Sequence, residues 1–98
     1  MLKLYTQPNC PFCDIMKSMI DETIHTYQII NIKEDPEALS FIKEQGHKTV
    51  PQLYYNDVHI NKKTDTREYT TAELDGIIND VMDQHDWPFK DSGIEQGI

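Results

Sequence analysis

The stretch Cys10-Pro11-Phe12-Cys13 places two thiols two residues apart and decides the fold of this chain. It lies between a strand-like segment, Met1 to Thr6, and the start of a helical apolar stripe. Pro11 suits the first turn of a helix, where its missing N–H would have had no partner. The sequence therefore places Cys10 at or just before the N-terminus of a helix.

This position has consequences for thiol chemistry. The unpaired N–H groups and positive dipole end of a helix N-terminus favour an anion. They lower the pKa of a thiol from about 8.5 toward neutrality or below, so we expect Cys10 to be a thiolate nucleophile. Cys13 follows one turn later on the same face, with its sulfur within reach of the Cys10 sulfur. We interpret Cys13 as the resolving thiol.

A C-x-x-C pair has two other interpretations, zinc binding and structural cross-linking. A structural zinc site needs four Cys or His ligands. These are the only two cysteines, and the remaining candidates lack zinc-finger spacing: His25, His47, His59 and His85. A structural disulfide gains most from closing a long loop, and this one would close almost nothing. Redox chemistry is favoured and no metal site is expected.

Length and composition bound the class of protein. Ninety-eight residues suit a single domain, which we expect over residues 1–87, with 88–98 as a flexible C-terminal tail. The absence of an apolar leader, and of any run long enough to span a membrane, predicts a soluble protein of the reducing cytoplasm. A net charge of −8 argues against binding to nucleic acid. We expect a monomer.

Hydrophobic periodicity predicts the first half of the chain. Apolar residues recur at helical spacing as far as Ile24, which predicts a helix over about 11–24. The β-branched segment Tyr27 to Ile32 predicts a largely buried second strand. Asp35-Pro36-Glu37 combines an N-cap, an N1 proline and a first-turn acid, and so begins a second helix that ends at Gly46.

The second half predicts a hairpin and a third helix. Gln52 to Tyr55 and Val58 to Ile60 suit two antiparallel strands, and the polar segment Asn61 to Tyr69 suits a loop. Thr70 and Glu73 have the spacing of a capping box at the start of a helix. The whole predicts an α/β fold in the order β-α-β-α-β-β-α, a four-stranded mixed sheet with flanking helices.

Two motifs within this order of elements carry a resemblance to a known family. Cys10-Pro11-Phe12-Cys13 follows the first strand, and Thr49-Val50-Pro51 precedes the third. Together they resemble the dithiol glutaredoxins, which have the thioredoxin-like fold, over about residues 1–85. The resemblance implies that Cys10 attacks and Cys13 resolves.

The same resemblance assigns a glutathione site. It implies that Phe12 lies beside the bound peptide and that Thr49-Val50-Pro51 borders it. A cis bond is expected before Pro51, with the Val50 backbone pairing with the glutathione cysteine like an added strand. Thr64 and Asp65 match the family's loop for a glutathione carboxylate.

Two departures from the family bear on glutathione binding. Family members often have Lys or Arg where this chain has Gln7, and Gly-Gly where Asn61 and Lys62 begin the run to Asp65. We hypothesise that Lys62 or Lys63, with Lys48, supplies the charge that Gln7 cannot. Two solvent-exposed lysines remain the alternative. His47 is interpreted as a solvated helix-end residue, because a thiolate needs no general base.

The resemblance implies a glutathione-dependent thiol-disulfide oxidoreductase with no bound cofactor and with glutathione as reducing co-substrate. Its protein substrates would be disulfide-containing or glutathionylated proteins, ribonucleotide reductase among the candidates. Two alternatives stay open. One is a glutaredoxin-like redoxin that is recharged by thioredoxin reductase and supplies electrons to ribonucleotide reductase. The other is an iron-sulfur carrier ligated by Cys10 of two protomers and glutathione, which the presence of Cys13 disfavours.

Overall fold

A computed structural model describes residues 1–63 and 65–86. The elements are β1 (Leu2–Thr6), α1 (Pro11–Asp21), β2 (Gln28–Asn31), α2 (Pro36–Glu44), β3 (Gln52–Tyr55), β4 (Val58–His59), a single 3-10 turn (Thr66–Glu68) and α3 (Thr71–Asp86). The predicted order of elements is confirmed. Thr64, the domain end at residue 87 and the tail 88–98 lie outside the described residues. Within those residues, no helix is both long enough and apolar enough for a membrane crossing.

The four strands form one mixed sheet in the order β2-β1-β3-β4. Strand β1 pairs in parallel with β2 and antiparallel with β3, with Leu4 opposite Ile29 on one side and Leu53 on the other. Strand β4 pairs antiparallel with β3 through Tyr54 and His59. Strands β1 and β3 are therefore the central pair of the sheet. One sequence motif follows β1 and the other precedes β3.

Alternation along β3 divides the core between two apolar clusters. Successive side chains of a strand point to opposite faces. Leu53 and Tyr55 join a cluster with residues of α1 and α3, including Met16 and Leu74. Tyr54 joins a second cluster that also contains Tyr5, Ile32, Ala38 and Ile42. Burying one large apolar side chain stabilises the fold by about 1.5–3 kcal/mol. Because its side chains enter both clusters, β3 connects the helices on the two faces of the sheet.

The helix boundaries predicted from caps are confirmed. Asp35 accepts the Ala38 N–H at 3.1 Å at the start of α2. After α2, Gly46 has a φ of +83°, the left-handed conformation of a C-terminal glycine. Before α3, the Thr70 hydroxyl accepts the Glu73 N–H at 3.1 Å, and the Glu73 carboxylate accepts the Thr70 N–H at 3.0 Å. This is the reciprocal pair of a capping box.

Helix α1 is shorter than the sequence predicts. It ends at Asp21, so the placement of Ile24 on its buried stripe was wrong. Both the N–H and the hydroxyl of Thr23 bond to the Ile20 carbonyl, at 2.9 and 2.6 Å, and close the last turn. Ile24 is 93% exposed. The apolar spacing continued past the helix, but the helix itself did not.

Strand β2 is less buried than predicted. Ile29 is 50% exposed, although Ile32, just after the strand, is 8% exposed. Strand β2 is one of the two edge strands of the sheet, so a neighbouring strand covers it on one side only. The predicted loop over 61–69 also contains the 3-10 turn, which begins where the Asp65 carboxylate accepts the Arg67 N–H at 2.9 Å.

Candidate active site

The two cysteines form a disulfide at the start of α1. Their Cα atoms are 5.2 Å apart, an ordinary spacing for this bond. Cys10 is the N-cap residue, and its sulfur accepts the Cys13 N–H at 3.2 Å, so the helix N-terminus faces this sulfur as the sequence predicts. Cys10 is 9% exposed and Cys13 is 1% exposed. This order of exposure suits attack at Cys10 and resolution by Cys13.

The Thr49-Val50-Pro51 loop lies against the disulfide. The peptide bond between Val50 and Pro51 is cis, which confirms that expectation. The Val50 carbonyl oxygen is 3.9 Å from the Cys10 sulfur. Thr49 is exposed, Val50 is half-buried and Pro51 is buried. The two motifs, which are 40 residues apart along the chain between Cys10 and Val50, therefore meet at one site.

Phe12, between the two cysteines in sequence, lies beside a cation that the sequence analysis missed. Its ring is 40% exposed, and the Arg67 guanidinium lies 5.2 Å from the ring centroid. The guanidinium also donates to both carboxylate oxygens of Asp65, at 3.1 and 2.8 Å. These hydrogen bonds lower the pKa of Asp65 and raise that of Arg67. The only sequence signal was the i,i+2 spacing of an Asp and an Arg in the loop expected to border the ligand.

A groove of about 400 Å³ begins beside Val50 and is bordered by α2. Lys33, Lys43 and Lys48 line it, together with Gln7 and His47, and none of its lining residues is acidic. The chain as a whole has 17 acidic and 9 basic residues. The groove thus presents cations in an acidic protein, next to the disulfide, and suits an anionic ligand.

His47 follows the end of α2, as predicted, but it is half-buried against the sheet and is therefore less solvated than predicted. Its N–H donates to the Ile42 carbonyl at 3.1 Å, which fixes the chain after Gly46. Its Nε2 is 2.5 Å from the Tyr54 hydroxyl, and its ring centroid is 4.5 Å from that of His59. Burial lowers the pKa of His47. Burial, with the charges of His47 and Lys62, lowers the pKa of His59 to about 4.

The lysines of the charge hypothesis occupy two places. Lys48 lines the groove. Lys62 and Lys63 are exposed and border a second cavity between β4 and α3. The Lys63 ammonium donates to the Glu68 carbonyl at 3.3 Å and lies 5.0 Å from the centre of the Tyr69 ring. In the described part of the chain, no group of three or more His, Cys, Asp or Glu side chains is placed to hold a metal ion.

The sheet order, the dithiol at a helix N-terminus and the cis-proline loop beside it define a protein of the thioredoxin-like fold. The Glutaredoxin family model matches residues 2–60, and the chain belongs to the glutaredoxin family. Glutaredoxin 1 of Rickettsia felis is 35% identical over 60 residues, covering 58% of this chain and 59% of that protein. The chain therefore spans less than two thirds of that relative's length. Glutaredoxin 1 of Rickettsia typhi is 31% identical over 85 residues, covering 82% of this chain and 77% of that protein.

A second group of similar proteins carries a different name. The glutaredoxin-like protein NrdH of Lactococcus lactis subsp. cremoris is 30% identical over 57 residues, covering 58% of this chain and 79% of that protein. The structure of NrdH-redoxin from Escherichia coli, a glutaredoxin-like protein with a thioredoxin-like activity profile, superimposes with a TM-score of 0.58 at 20% identity. That match covers 80% of this chain and 91% of the other, and shows the shared fold.

Proposed function

We propose that this chain is a glutathione-dependent thiol-disulfide oxidoreductase that acts as a cytoplasmic monomer on disulfide-containing and glutathionylated proteins. The observation that carries the proposal is the cationic groove that begins at Val50, beside the Cys10 sulfur. Glutathione is a small peptide with two carboxylates and a central cysteine. A groove with three lysines and no acid matches its charge, and the neighbouring disulfide matches its thiol.

The peptide is held by the loop and its sulfur is presented to Cys10. In this arrangement the backbone of an extended peptide pairs with the Val50 backbone as an added strand would. Phe12 and Thr49 border the peptide cysteine, and Asp65 is linked to Phe12 through Arg67. Holding two sulfurs in line lowers the entropic part of the barrier to exchange.

The reaction is a series of thiol-disulfide exchanges. The Cys10 thiolate attacks one sulfur of a substrate disulfide, the substrate S–S bond breaks, and the leaving thiolate takes up a proton. Cys13 then loses its proton and attacks the Cys10 sulfur. This releases the second substrate thiol and forms the Cys10–Cys13 disulfide. For a glutathionylated substrate, Cys10 alone takes up the glutathionyl group and releases the substrate thiol.

Two glutathione molecules return the enzyme to its dithiol state. The first attacks the Cys10 sulfur, which forms a glutathione mixed disulfide and frees Cys13 as a thiol. The second attacks the glutathione sulfur of that mixed disulfide. The products are glutathione disulfide and the Cys10 thiolate, so the electron pair that reduced the substrate is supplied by two thiols.

A redoxin recharged by thioredoxin reductase is the second candidate, with ribonucleotide reductase as the candidate substrate. Two observations favour it. Gln7 lines the groove where the family often places a cation, and Arg67 already occupies both oxygens of Asp65 in the loop expected to hold the other carboxylate. The similarity to NrdH proteins agrees with this alternative.

The choice of electron donor separates the two candidates. We expect wild-type protein with glutathione, glutathione reductase and NADPH to reduce a glutathione mixed disulfide. Cys10→Ser should abolish this activity, because it removes the attacking sulfur. Cys13→Ser should retain it but lose reduction of insulin disulfides, since only that reaction needs the second thiol. NADPH oxidation that requires thioredoxin reductase and does not increase when glutathione is added would establish the second candidate instead.

A further inference from the structure

Two buried amide side chains form hydrogen bonds to the backbone of the Thr49-Val50-Pro51 loop. Gln52 is 6% exposed and Asn61 is 4% exposed. The Gln52 amide donates to the Thr49 carbonyl at 3.0 Å, and the Asn61 amide donates to the Pro51 carbonyl at 3.0 Å. The carbonyl between them, that of Val50, lies 3.9 Å from the Cys10 sulfur. The carbonyls of Thr49 and Pro51 are therefore hydrogen-bonded to buried side chains, while the Val50 carbonyl lies beside the disulfide.

Asn61 takes the place of a peptide group in the β3-β4 ladder. The Ile60 N–H donates to the Leu53 carbonyl at 2.8 Å. In a regular antiparallel pair the return bond would run from the Leu53 N–H to the Ile60 carbonyl. Here the Leu53 N–H donates to the side-chain oxygen of Asn61 at 2.8 Å. One side-chain amide thus supplies both the acceptor for Leu53 and the donor for Pro51, while the backbone leaves the sheet toward Lys62.

Gln52 is oriented by a partner of its own. Its side-chain oxygen is 2.7 Å from Nε2 of His59. Because the Gln52 nitrogen donates to the Thr49 carbonyl, its oxygen must be the acceptor in this second bond. His59 therefore carries a proton on Nε2. The Thr49 carbonyl is tied through Gln52 to strand β4.

We propose that Gln52 and Asn61 are positioning residues that clamp the carbonyls on either side of Val50 and so aim the Val50 backbone at the Cys10 sulfur. The inference rests on the proposed function, in which a substrate peptide pairs with Val50. A loop that is already fixed loses little conformational freedom when the peptide binds. Releasing either carbonyl should therefore weaken substrate binding and leave the chemistry of the thiol unchanged.

Three variants test the clamp. Gln52→Glu keeps the acceptor for His59 and removes the donor to Thr49. Asn61→Asp keeps the acceptor for Leu53 and removes the donor to Pro51. Asn61→Gly installs the family's residue and removes both. The control is Asn79→Ala on the exposed side of α3, where the amide bonds only to Asp75 among the contacts of the described residues.

Two measurements on the reduced proteins separate positioning from general damage. We expect each of the three variants to raise the KM for the mixed disulfide, or for insulin if thioredoxin reductase is the donor, about tenfold, the cost of an unmade buried hydrogen bond. The rate of Cys10 alkylation by iodoacetamide should stay within about twofold of wild type, because the sulfur keeps its place at the α1 N-terminus. Unchanged KM, or KM and alkylation lost together, would overturn the proposal.

Amide exchange followed by NMR tests the clamp without any substrate. The Leu53 N–H should stay protected in Asn61→Asp, which keeps its acceptor, and exchange at least about tenfold faster in Asn61→Gly. The Val50 amide resonance should shift in all three variants and not in Asn79→Ala, because each of the three releases a carbonyl next to Val50. Equal protection throughout would refute the clamp. A wild type inactive with both donors would refute only the proposed function, since the exchange data would still stand.

Discussion

At the scale of single residues, His59 is held neutral by its surroundings. Its ring lies against His47, packs on Tyr54 and has Lys62 nearby. Partial burial and these cationic neighbours lower its pKa from 6.5 to about 4. The Gln52 oxygen accepts from Nε2 and so keeps the proton of the neutral ring on that nitrogen. The Gln52 bond to the loop is therefore compatible with the whole neutral range of pH.

The same shift makes folding stability depend on pH. Because the folded pKa of His59 is below the unfolded one, the unfolded chain binds a proton between about pH 6.5 and 4 that the folded chain does not. Stability is therefore full above the unfolded pKa and falls as the pH drops. With solvent screening of a half-exposed ring, we expect about 1 kcal/mol to be lost between pH 7 and 5.

Urea denaturation at pH 7 and pH 5 measures this loss. His59→Gln removes the titrating ring and should reduce the pH dependence, whatever its effect on stability at pH 7. The window stops at pH 5 because ordinary carboxylates titrate below it. The lowered pKa of His47 acts in the same direction, so some dependence should remain. Identical pH dependence in the wild type and His59→Gln would contradict this assignment.

Sequence reasoning found the residues of the site that belong to short motifs. Cys10 was identified because a C-x-x-C pair has local chemical meaning, and Val50 because Thr-Val-Pro before the third strand resembles a loop of the dithiol glutaredoxins. Asn61 and Arg67 were not identified, because the role of each depends on the residues that it contacts in the folded protein. Asn61 was read as the first residue of a polar loop. Its burial follows from unpaired backbone groups of β3, which no periodicity reveals.

At the scale of elements, the start of α3 depends on the Thr70–Glu73 capping box. The helix buries Leu74 and Ile78 completely, so its register matters to the core that supports β3. We expect Thr70→Ala to lower the free energy of unfolding by about 1 kcal/mol, since the Glu73 N–H loses its acceptor. Chemical denaturation measures the change. Ser40→Ala, an exposed position within α2, is the control, and an equal loss in both would show that the box contributes nothing.

Boundaries marked by caps were predictable, whereas the end of α1 and the burial of β2 were not. Caps are local, so the starts of α2 and α3 followed from Asp35 and from Thr70 with Glu73. The end of α1 did not follow, because Ile24 kept the apolar spacing while Thr23 closed the last turn. The exposure of Ile29 depends on β2 being at the edge of the sheet. That position is decided by which strands pair, and an isolated apolar run carries no information about it.

At the scale of the whole molecule, charge is distributed unevenly. The chain has a net charge of −8, yet the lining of the groove is cationic. The overall charge repels an anionic substrate at long range, whereas the three lysines attract it at short range. At physiological salt, charges separated by more than about 8 Å are largely screened. The groove therefore dominates binding under those conditions.

Removing two groove lysines tests this account. We expect Lys43→Gln/Lys48→Gln to raise the KM for a glutathione mixed disulfide about three- to tenfold, since each exposed ion pair is worth about 0.2–1 kcal/mol. The rise of KM with added salt should also flatten, because fewer charges are left to screen. Lys3→Gln/Lys17→Gln makes the same change in net charge outside the groove, since Lys3 lines a different cavity and Lys17 is paired to Asp14. An equal effect from both double variants would show that net charge alone governs binding. No effect from either would mean that the substrate binds outside the groove.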